Sequence, residues 1–139
     1  MNFRNHRQVA FSETDVSGRV HFTAFLRWAE DAEHAFLREV GVPVFEQEEN
    51  STGWPRVRVQ CDYLAPAVFG DSVEVKLTLH AHGKTSLSWE FQILKNSPEG
   101  ATCCAKGSYK TVLVRGESGA EQPTSISREW IEKVKTALV

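Results

Sequence analysis

The feature that most constrains the fold is a change of hydrophobic period along the chain. Between Phe22 and Val40, apolar residues recur every three or four positions and form one stripe on a helix. From Arg56 onward the period becomes two, which is typical of half-buried strands. A helix stripe and the apolar face of a sheet bury each other when they pack together. We therefore expect an α+β fold with one central helix and an antiparallel sheet wrapped around it, although a two-layer sandwich of other connectivity fits the same pattern.

The strands are predicted from alternation and from the turns between them. Three strands are expected over 56–63, 73–81 and 86–93, a looser one over 102–114, and a short first strand over Gln8–Phe11. Turn residues at 69–71, 82–84 and 96–100 favour antiparallel neighbours. A loop rich in Glu and Gln is expected over Glu46–Gly53, and a short helix over 127–138 with Ser127 as its N-cap.

Size and composition limit the classes of protein to consider. A chain of 139 residues has the size of one domain, 1–139, and its net charge of −2 gives no general attraction to nucleic acid or anionic membranes. The N-terminal residues lack the apolar run of a signal peptide, and no segment is apolar enough for a membrane span. The three cysteines, Cys61, Cys103 and Cys104, are odd in number and are interpreted as reduced, buried thiols. We expect a cytoplasmic protein without a metal site or cofactor.

The segment Glu13–Phe22 combines three features that can support chemistry. Asp15 places a carboxylate on a loop, Gly18 permits a tight turn, and Phe22 begins the helix, where backbone N–H groups lack intrahelical acceptors. Such N–H groups can stabilise an oxyanion, and a nearby carboxylate can act as nucleophile or as general base. From the residues alone, the favoured interpretation is that Asp15 caps a turn, since loop aspartates are common.

This segment, Phe11–Phe22 followed by Phe25–Trp28, resembles the active-site segment of the 4-hydroxybenzoyl-CoA thioesterase family. That family has a Thr-Asp pair, a Gly three residues later, then Val, an aromatic residue or His, and an aromatic-rich helix. The resemblance implies a hot-dog fold and acyl-CoA thioesterase activity. It implies Asp15 as the catalytic carboxylate, the Phe22 N–H as the group that polarises the thioester carbonyl, and Gly18 as the turn glycine of the substrate-binding loop. His21 is a further candidate for a catalytic or substrate-orienting group, with a structural role at the helix start as the alternative.

Other candidate residues lie outside this segment. Glu30, on the helix, is an alternative catalytic carboxylate, with a solvated or interface role as the other interpretation. In similar thioesterases the strand after the second hairpin meets the CoA phosphates, which makes Lys84, Thr85 and Ser86 candidates for substrate binding, with an ordinary exposed turn as the alternative. The strand residues Arg56 and Arg58 could reach a nucleotide or pair across an oligomer interface, although a solvated polar face is the commoner interpretation. Trp54, like the other three tryptophans, is interpreted as a core or interface residue, with a place in an acyl pocket as the alternative.

The resemblance also implies acyl-CoA as substrate and a homo-oligomer, either a dimer or a dimer-of-dimers tetramer, with active sites at subunit boundaries. Two alternatives remain open. The run Val20–Trp28 is also similar to carrier-protein thioesterases of polyketide pathways, although these commonly lack the acidic residue that this chain has at Asp15. The second alternative is a non-catalytic hot-dog module that binds acyl-CoA.

Overall fold

The structure is a computed structural model that describes residues 2–46 and 51–138. The helices and strands follow in the order β1 (Phe3–Gln8), a 3-10 turn (Phe11–Glu13), α1 (Phe22–Val40), β2 (Ser51–Gly53), β3 (Arg56–Tyr63), β4 (Ser72–His82), β5 (Ser86–Ser97), β6 (Gly100–Val112), β7 (Val114–Gly116), β8 (Gln122–Pro123) and α2 (Arg128–Leu138). The loop predicted over Glu46–Gly53 includes 47–50, which lie outside the described residues, while its last three residues form β2.

The main sheet has five antiparallel strands in the order β1-β4-β5-β6-β3, and a small sheet joins β2, β7 and β8. Helix α1 packs against the main sheet, with Trp28, Ala32 and Leu37 fully buried at the interface. The expected α+β architecture, with an antiparallel sheet wrapped around one long helix, is confirmed, and α1 begins and ends at the predicted residues.

Both ends of α1 have a local cause. The N-cap is His21, whose ring nitrogen accepts a hydrogen bond from the Thr23 N–H. At the other end Gly41 adopts a left-handed conformation with φ 79°, and its N–H donates to the Arg38 carbonyl. Glycine takes this conformation without steric cost, so the helix stops there and the chain turns away.

The predicted first strand was wrong. The strand ends at Gln8, and Phe11–Glu13 form a 3-10 turn in which Phe11 is 76% exposed. The chain leaves the sheet at Val9, whose N–H donates to the Asp71 carbonyl before β4 begins. Strand β1 lies at the edge of the sheet and carries mostly polar residues, so its sequence lacks the alternation of an ordinary strand.

Strand β3 also departs from the prediction, because its apolar face is not covered. Val57 and Val59 are 58% and 46% exposed. The cause is the position of α1, which packs against β4 and β1 and leaves the opposite edge of the sheet, β3, open. A bulge between Arg56 and Arg58 also changes the alternation, so that Arg56 lies opposite the buried Thr111 and faces the helix side.

The terminal helix α2 packs beside α1 and not against the loop that carries Asp15. Ser127 Oγ accepts from the Trp130 N–H at 3.1 Å, which confirms it as the N-cap. Trp54 is buried against Trp130, and its indole N–H donates to the Pro43 carbonyl. It is not among the residues that line the cavity next to Asp15. Cys104 is buried as predicted, but Cys61 and Cys103 are only half-buried. Among the described residues, no helix has the length and apolar character needed to cross a membrane.

Candidate active site

The loop that carries Asp15 is a small, closed hairpin. The Asp15 N–H donates to the Arg19 carbonyl, and the Gly18 N–H donates back to the Asp15 carbonyl, each at 2.9 Å. Gly18 has φ 80°, a conformation that disfavours residues with a Cβ. A second anchor joins the loop to the chain before β4, since the Val20 N–H donates to the Ala67 carbonyl at 2.8 Å. The carboxylate is therefore presented on a fixed backbone.

Asp15 is exposed, and its Oδ1 atom is held by Ser17. The Ser17 N–H donates to Oδ1 at 2.8 Å, and the Ser17 hydroxyl donates to the same oxygen. These two hydrogen bonds lower the pKa of Asp15 below its usual value, with smaller contributions from His21 and Arg19. Among the residues that the structure describes, no donor is bonded to Oδ2. Asp15 is thus an ionised carboxylate with one oxygen held and the other available.

The first turn of α1 leaves one backbone donor available. The Thr23 N–H is capped by His21, and the Ala24 N–H donates to the His21 carbonyl. The Phe22 N–H makes no hydrogen bond to any residue in the described part of the chain. Because the helix start carries a partial positive charge, this N–H is suited to a developing oxyanion.

His21 uses one ring nitrogen to cap the helix. Its Nδ1 atom accepts from the Thr23 N–H at 3.2 Å and lies 2.7 Å from the Thr23 hydroxyl oxygen, while the ring stacks on Phe22. A neutral imidazole that accepts at Nδ1 carries its proton on Nε2. The capping contacts give His21 a structural role at the helix start and leave Nε2 as the atom that could meet a substrate.

Glu13 organises the segment, a role that the sequence did not reveal. Its carboxylate receives the Ala10 N–H, the Arg7 guanidinium and the Trp28 indole N–H, at 2.8, 2.6 and 2.6 Å. Burial works to raise the pKa of Glu13, but the hydrogen bonds from Ala10 and Trp28, with the charge of Arg7, lower it overall. The only sequence signal was a Glu two residues before the Asp, which is too common to be informative.

A cavity of about 410 Å³ brings the two central candidates together. We call it the reaction cavity: Asp15 and Phe22 line it with Phe25 and Tyr63, and the Tyr63 hydroxyl donates to the Phe22 carbonyl at 3.0 Å. Its volume lies within the usual range for a small-molecule site. A polar cavity of about 450 Å³ on the other face of the sheet contains neither Asp15 nor Phe22.

The turn with Lys84, Thr85 and Ser86 lies far from Asp15 within one chain. It follows the end of β4, whereas the Asp15 loop is anchored next to the start of that strand. The eleven residues of β4 span about 36 Å at the usual rise per residue. Lys84 is exposed, whereas Ser86 is buried. One chain alone therefore does not bring this turn to the reaction cavity.

Glu30 and Arg56 belong to a second polar cluster. Arg56 contacts the carboxylates of Glu33 at 2.6 Å and Glu30 at 3.4 Å, and its guanidinium lies 4.6 Å from the centre of the Tyr109 ring. Arg58 is exposed on the edge strand. Burial raises the pKa of Glu33 despite the nearby Arg56, and burial together with the Glu33 charge raises the pKa of Tyr109. Glu30 lines a different cavity from Asp15.

Comparison with known proteins adds to this geometry. A family model described as the thioesterase-like superfamily matches residues 9–136. The 1,4-dihydroxy-2-naphthoyl-CoA hydrolase of Synechococcus sp. strain CC9605 is 30% identical over 132 residues, covering 91% of this chain and 87% of the relative.

Two solved structures have the same fold at low identity. A 1,4-dihydroxy-2-naphthoyl-CoA thioesterase from Synechocystis has a TM-score of 0.81 at 21% identity, covering 97% of this chain and 96% of that chain. An aspartate-to-asparagine mutant of 4-hydroxybenzoyl CoA thioesterase, complexed with 4-hydroxybenzoyl CoA, has a TM-score of 0.85 at 13% identity, covering 96% and 98% of the two chains.

The fold and the cavity together define a thioester hydrolase of the hot-dog class. Since the family model covers most of the sequence, the chain belongs to the thioesterase-like superfamily. The expected hot-dog fold and thioester hydrolase class are confirmed.

Proposed function

We propose that the protein hydrolyses an acyl-CoA to a carboxylic acid and free CoA in the reaction cavity. The observation that carries this proposal is that Asp15 and Phe22 line the same cavity, and that the Phe22 N–H has no hydrogen-bond partner in the described part of the chain. Relatives also support the proposal, because two similar proteins are named as an acyl-CoA hydrolase and an acyl-CoA thioesterase.

The Phe22 N–H would bind the thioester carbonyl oxygen and stabilise the negative charge that develops on it. Asp15 acts by one of two routes. As nucleophile it forms a mixed anhydride and expels the CoA thiolate, and water then hydrolyses the anhydride. As general base it removes a proton from water, which attacks the carbonyl carbon and displaces the same thiolate. The lowered pKa keeps Asp15 ionised at neutral pH, as both routes require.

We further propose that the complete site forms in a homodimer. Strand β3 is an edge strand with Val57 and Val59 exposed, so its backbone and apolar side chains are both available for pairing. If β3 pairs antiparallel with β3 of a second copy across a two-fold axis, the sheet of the second copy runs in the opposite direction to the sheet of the first. The Lys84–Ser86 turn of the second copy would then lie at the same end as Asp15. This arrangement would let the exposed Lys84 meet the CoA phosphates, and Gly18, Thr85 and Ser86 complete the proposed substrate-binding set.

The test is the release of free thiol by Asp15→Asn compared with the wild type. We expect turnover to fall by at least about 100-fold, as is typical when a nucleophile or general base is removed. The matched control is Glu90→Gln, at an exposed position on the central strand β5 that lines the cavity on the outer face of the sheet. Near-normal activity in Asp15→Asn would contradict the proposal and favour Glu30.

The same assay separates the alternative functions. One acyl group is offered on CoA and on acyl carrier protein, and faster turnover on the carrier protein would indicate a carrier-protein thioesterase. Binding of acyl-CoA without thiol release across aromatic, short-chain and long-chain substrates would indicate a non-catalytic module.

A further inference from the structure

The peptide group that carries the Phe22 N–H is held by hydrogen bonds on both sides. The His21 N–H donates to the Glu13 carbonyl at 2.8 Å, and the His21 carbonyl accepts from the Ala24 N–H at 2.9 Å. The Tyr63 hydroxyl donates to the Phe22 carbonyl at 3.0 Å. Because a peptide group is planar and rigid, these three hydrogen bonds fix the direction in which the Phe22 N–H points.

Tyr63 supplies the one of these three bonds that comes from the sheet. The bonds to Glu13 and Ala24 are formed within the loop and the first turn of α1, whereas Tyr63 is the last residue of β3. The first turn of a helix lacks intrahelical acceptors for its N–H groups and frays most easily. The Phe22 side chain is 59% exposed, so its own packing holds this turn only weakly. The hydroxyl of Tyr63 therefore supplies a tertiary constraint on the first residue of α1.

The Tyr63 ring reaches Phe22 because it also packs against Phe25. The centres of the Tyr63 and Phe25 rings are 5.7 Å apart at an interplanar angle of 66°, and those of Tyr63 and Phe22 are 6.5 Å apart at 81°. Aromatic pairs favour such edge-to-face arrangements. Phe25 is buried in the core, so the position of the Tyr63 ring is set by the buried part of α1. The ring thus joins the exposed first turn of the helix to its buried second turn.

The chemistry of the phenol suits it to be a permanent donor at this position. Loss of solvent around the hydroxyl raises the pKa of Tyr63 to about 12, so the group keeps its proton under assay conditions. A phenol has one O–H, and this hydrogen is directed at the Phe22 carbonyl. It is therefore not available to a substrate carbonyl, although Tyr63 lines the reaction cavity. The geometry indicates an indirect role, through the backbone that carries the Phe22 N–H.

We propose that Tyr63 is a positioning residue for the oxyanion donor: its hydroxyl holds the first residue of α1 so that the Phe22 N–H is directed at the thioester carbonyl. This inference rests on the proposed acyl-CoA hydrolysis and adds a residue that acts through another group. Stabilisation of an oxyanion depends on the distance and direction of its donor. Release of the Phe22 backbone therefore slows the chemical step and leaves substrate binding almost unchanged. Tyr63 does not itself touch the reacting atoms.

Tyr63→Phe removes the hydroxyl and keeps the ring, so it tests the hydrogen bond alone. We expect kcat for an acyl-CoA to fall about tenfold with KM nearly unchanged, the scale of one hydrogen bond whose effect is confined to the transition state. Thermal unfolding checks that the fold is retained, and the assay is run well below the Tm. The matched control is Ser97→Ala, which removes another exposed hydroxyl that donates to a backbone carbonyl, that of Gly100, and should leave kcat unaltered.

Two variant backgrounds separate the positioning of the N–H from every other effect of the hydroxyl. Phe22→Ala keeps the N–H, whereas Phe22→Pro removes it and keeps the carbonyl to which Tyr63 donates. If Tyr63 acts through the N–H, Tyr63→Phe lowers kcat about tenfold in the Phe22→Ala background and leaves kcat unchanged in the Phe22→Pro background. A general loss of folded protein, or a direct contact between the hydroxyl and the substrate, lowers kcat by the same factor in both backgrounds.

Equal factors in the two backgrounds overturn the inference, and so does a Tyr63→Phe variant that has the kcat of the wild type. Both results leave the proposed hydrolysis intact, because the wild type is still active. If Phe22→Pro is as active as Phe22→Ala, the Phe22 N–H is not the oxyanion donor, and the inference falls with it. If the wild type hydrolyses no acyl-CoA, whether aromatic, short-chain or long-chain, the proposed function itself fails.

Discussion

The Trp28 indole N–H donates a 2.6 Å hydrogen bond to the Glu13 carboxylate and thereby joins the middle of α1 to the loop that carries Asp15. The same Glu13 oxygen accepts from Arg7 on β1, whose guanidinium lies 5.1 Å from the centre of the Trp28 ring. The Glu13 carbonyl accepts the His21 N–H at 2.8 Å, just before the helix begins. Glu13 therefore fixes the position of Asp15 relative to the Phe22 N–H without lining the reaction cavity itself.

Replacing this carboxylate tests its contribution to stability. Glu13→Gln removes the negative charge that attracts Arg7 and replaces one acceptor oxygen with an NH2 group, which is a donor. We expect the free energy of unfolding to fall by about 2 kcal/mol, the scale for hydrogen bonds to charged groups. Urea unfolding at pH 7 measures the change, and Glu99→Gln in the exposed β5–β6 turn is the control.

The effect should depend on pH in a defined direction. The pKa of Glu13 is lower in the folded protein than the usual 4.5, so the unfolded state takes up a proton first. The stabilisation by ionised Glu13 is complete above pH 4.5 and is lost as the pH falls toward the folded-state pKa. The stability difference between wild type and Glu13→Gln should therefore shrink in acid, and a difference that stays constant from pH 7 to pH 3 would contradict this assignment.

The Phe22 N–H can be removed by a substitution that the helix tolerates. Phe22 is the first residue of α1, a position where proline is favoured, and His21 before it has φ −63° and ψ 140°, as residues before proline do. Phe22→Pro deletes the proposed oxyanion donor, whereas Phe22→Ala keeps it and removes only the side chain. We expect kcat in Phe22→Pro to be about 100-fold below that of Phe22→Ala, the usual loss for one oxyanion donor. Equal kcat values in the two variants would exclude this role, and circular dichroism checks that α1 is retained.

Ser17 controls the ionisation of Asp15. Its hydroxyl is the largest cause of the lowered pKa of Asp15, ahead of its own N–H. In Ser17→Ala the pKa of Asp15 should rise, and the acid limb of the kcat/KM profile should move to higher pH because the active form is the carboxylate. Ser12→Ala, at an exposed position in the preceding 3-10 turn, is the control and should leave the limb in place. An acid limb that stays fixed in Ser17→Ala would mean that another group sets it.

Local pattern was sufficient for α1, because its apolar stripe and Gly41 at its end both indicate the same helix. Local pattern failed for β1, because an edge strand needs no apolar alternation. It also failed to predict that β3 is left uncovered, because long-range packing decides where a helix lies across a sheet. The Asp15 loop was recognisable from consecutive residues. The cluster of Arg56, Glu33 and Tyr109 was not, since it joins a helix and two strands that are distant in sequence.

The exposed face of β3 leads to a test of the proposed dimer. A carboxylate at Val59 would be buried without a partner if two β3 strands pair, and burial of an unpaired charge is strongly unfavourable. Val59→Glu should therefore give monomers in analytical ultracentrifugation at concentrations where the wild type is dimeric. The control is Ala101→Glu, which adds the same charge at an exposed position at the start of β6. Monomeric Val59→Glu should also lose most of its activity on acyl-CoA, because the Lys84 turn of a second copy would no longer reach the reaction cavity. A variant that stays dimeric would place the interface elsewhere, and a fully active monomer would show that one chain contains the complete site.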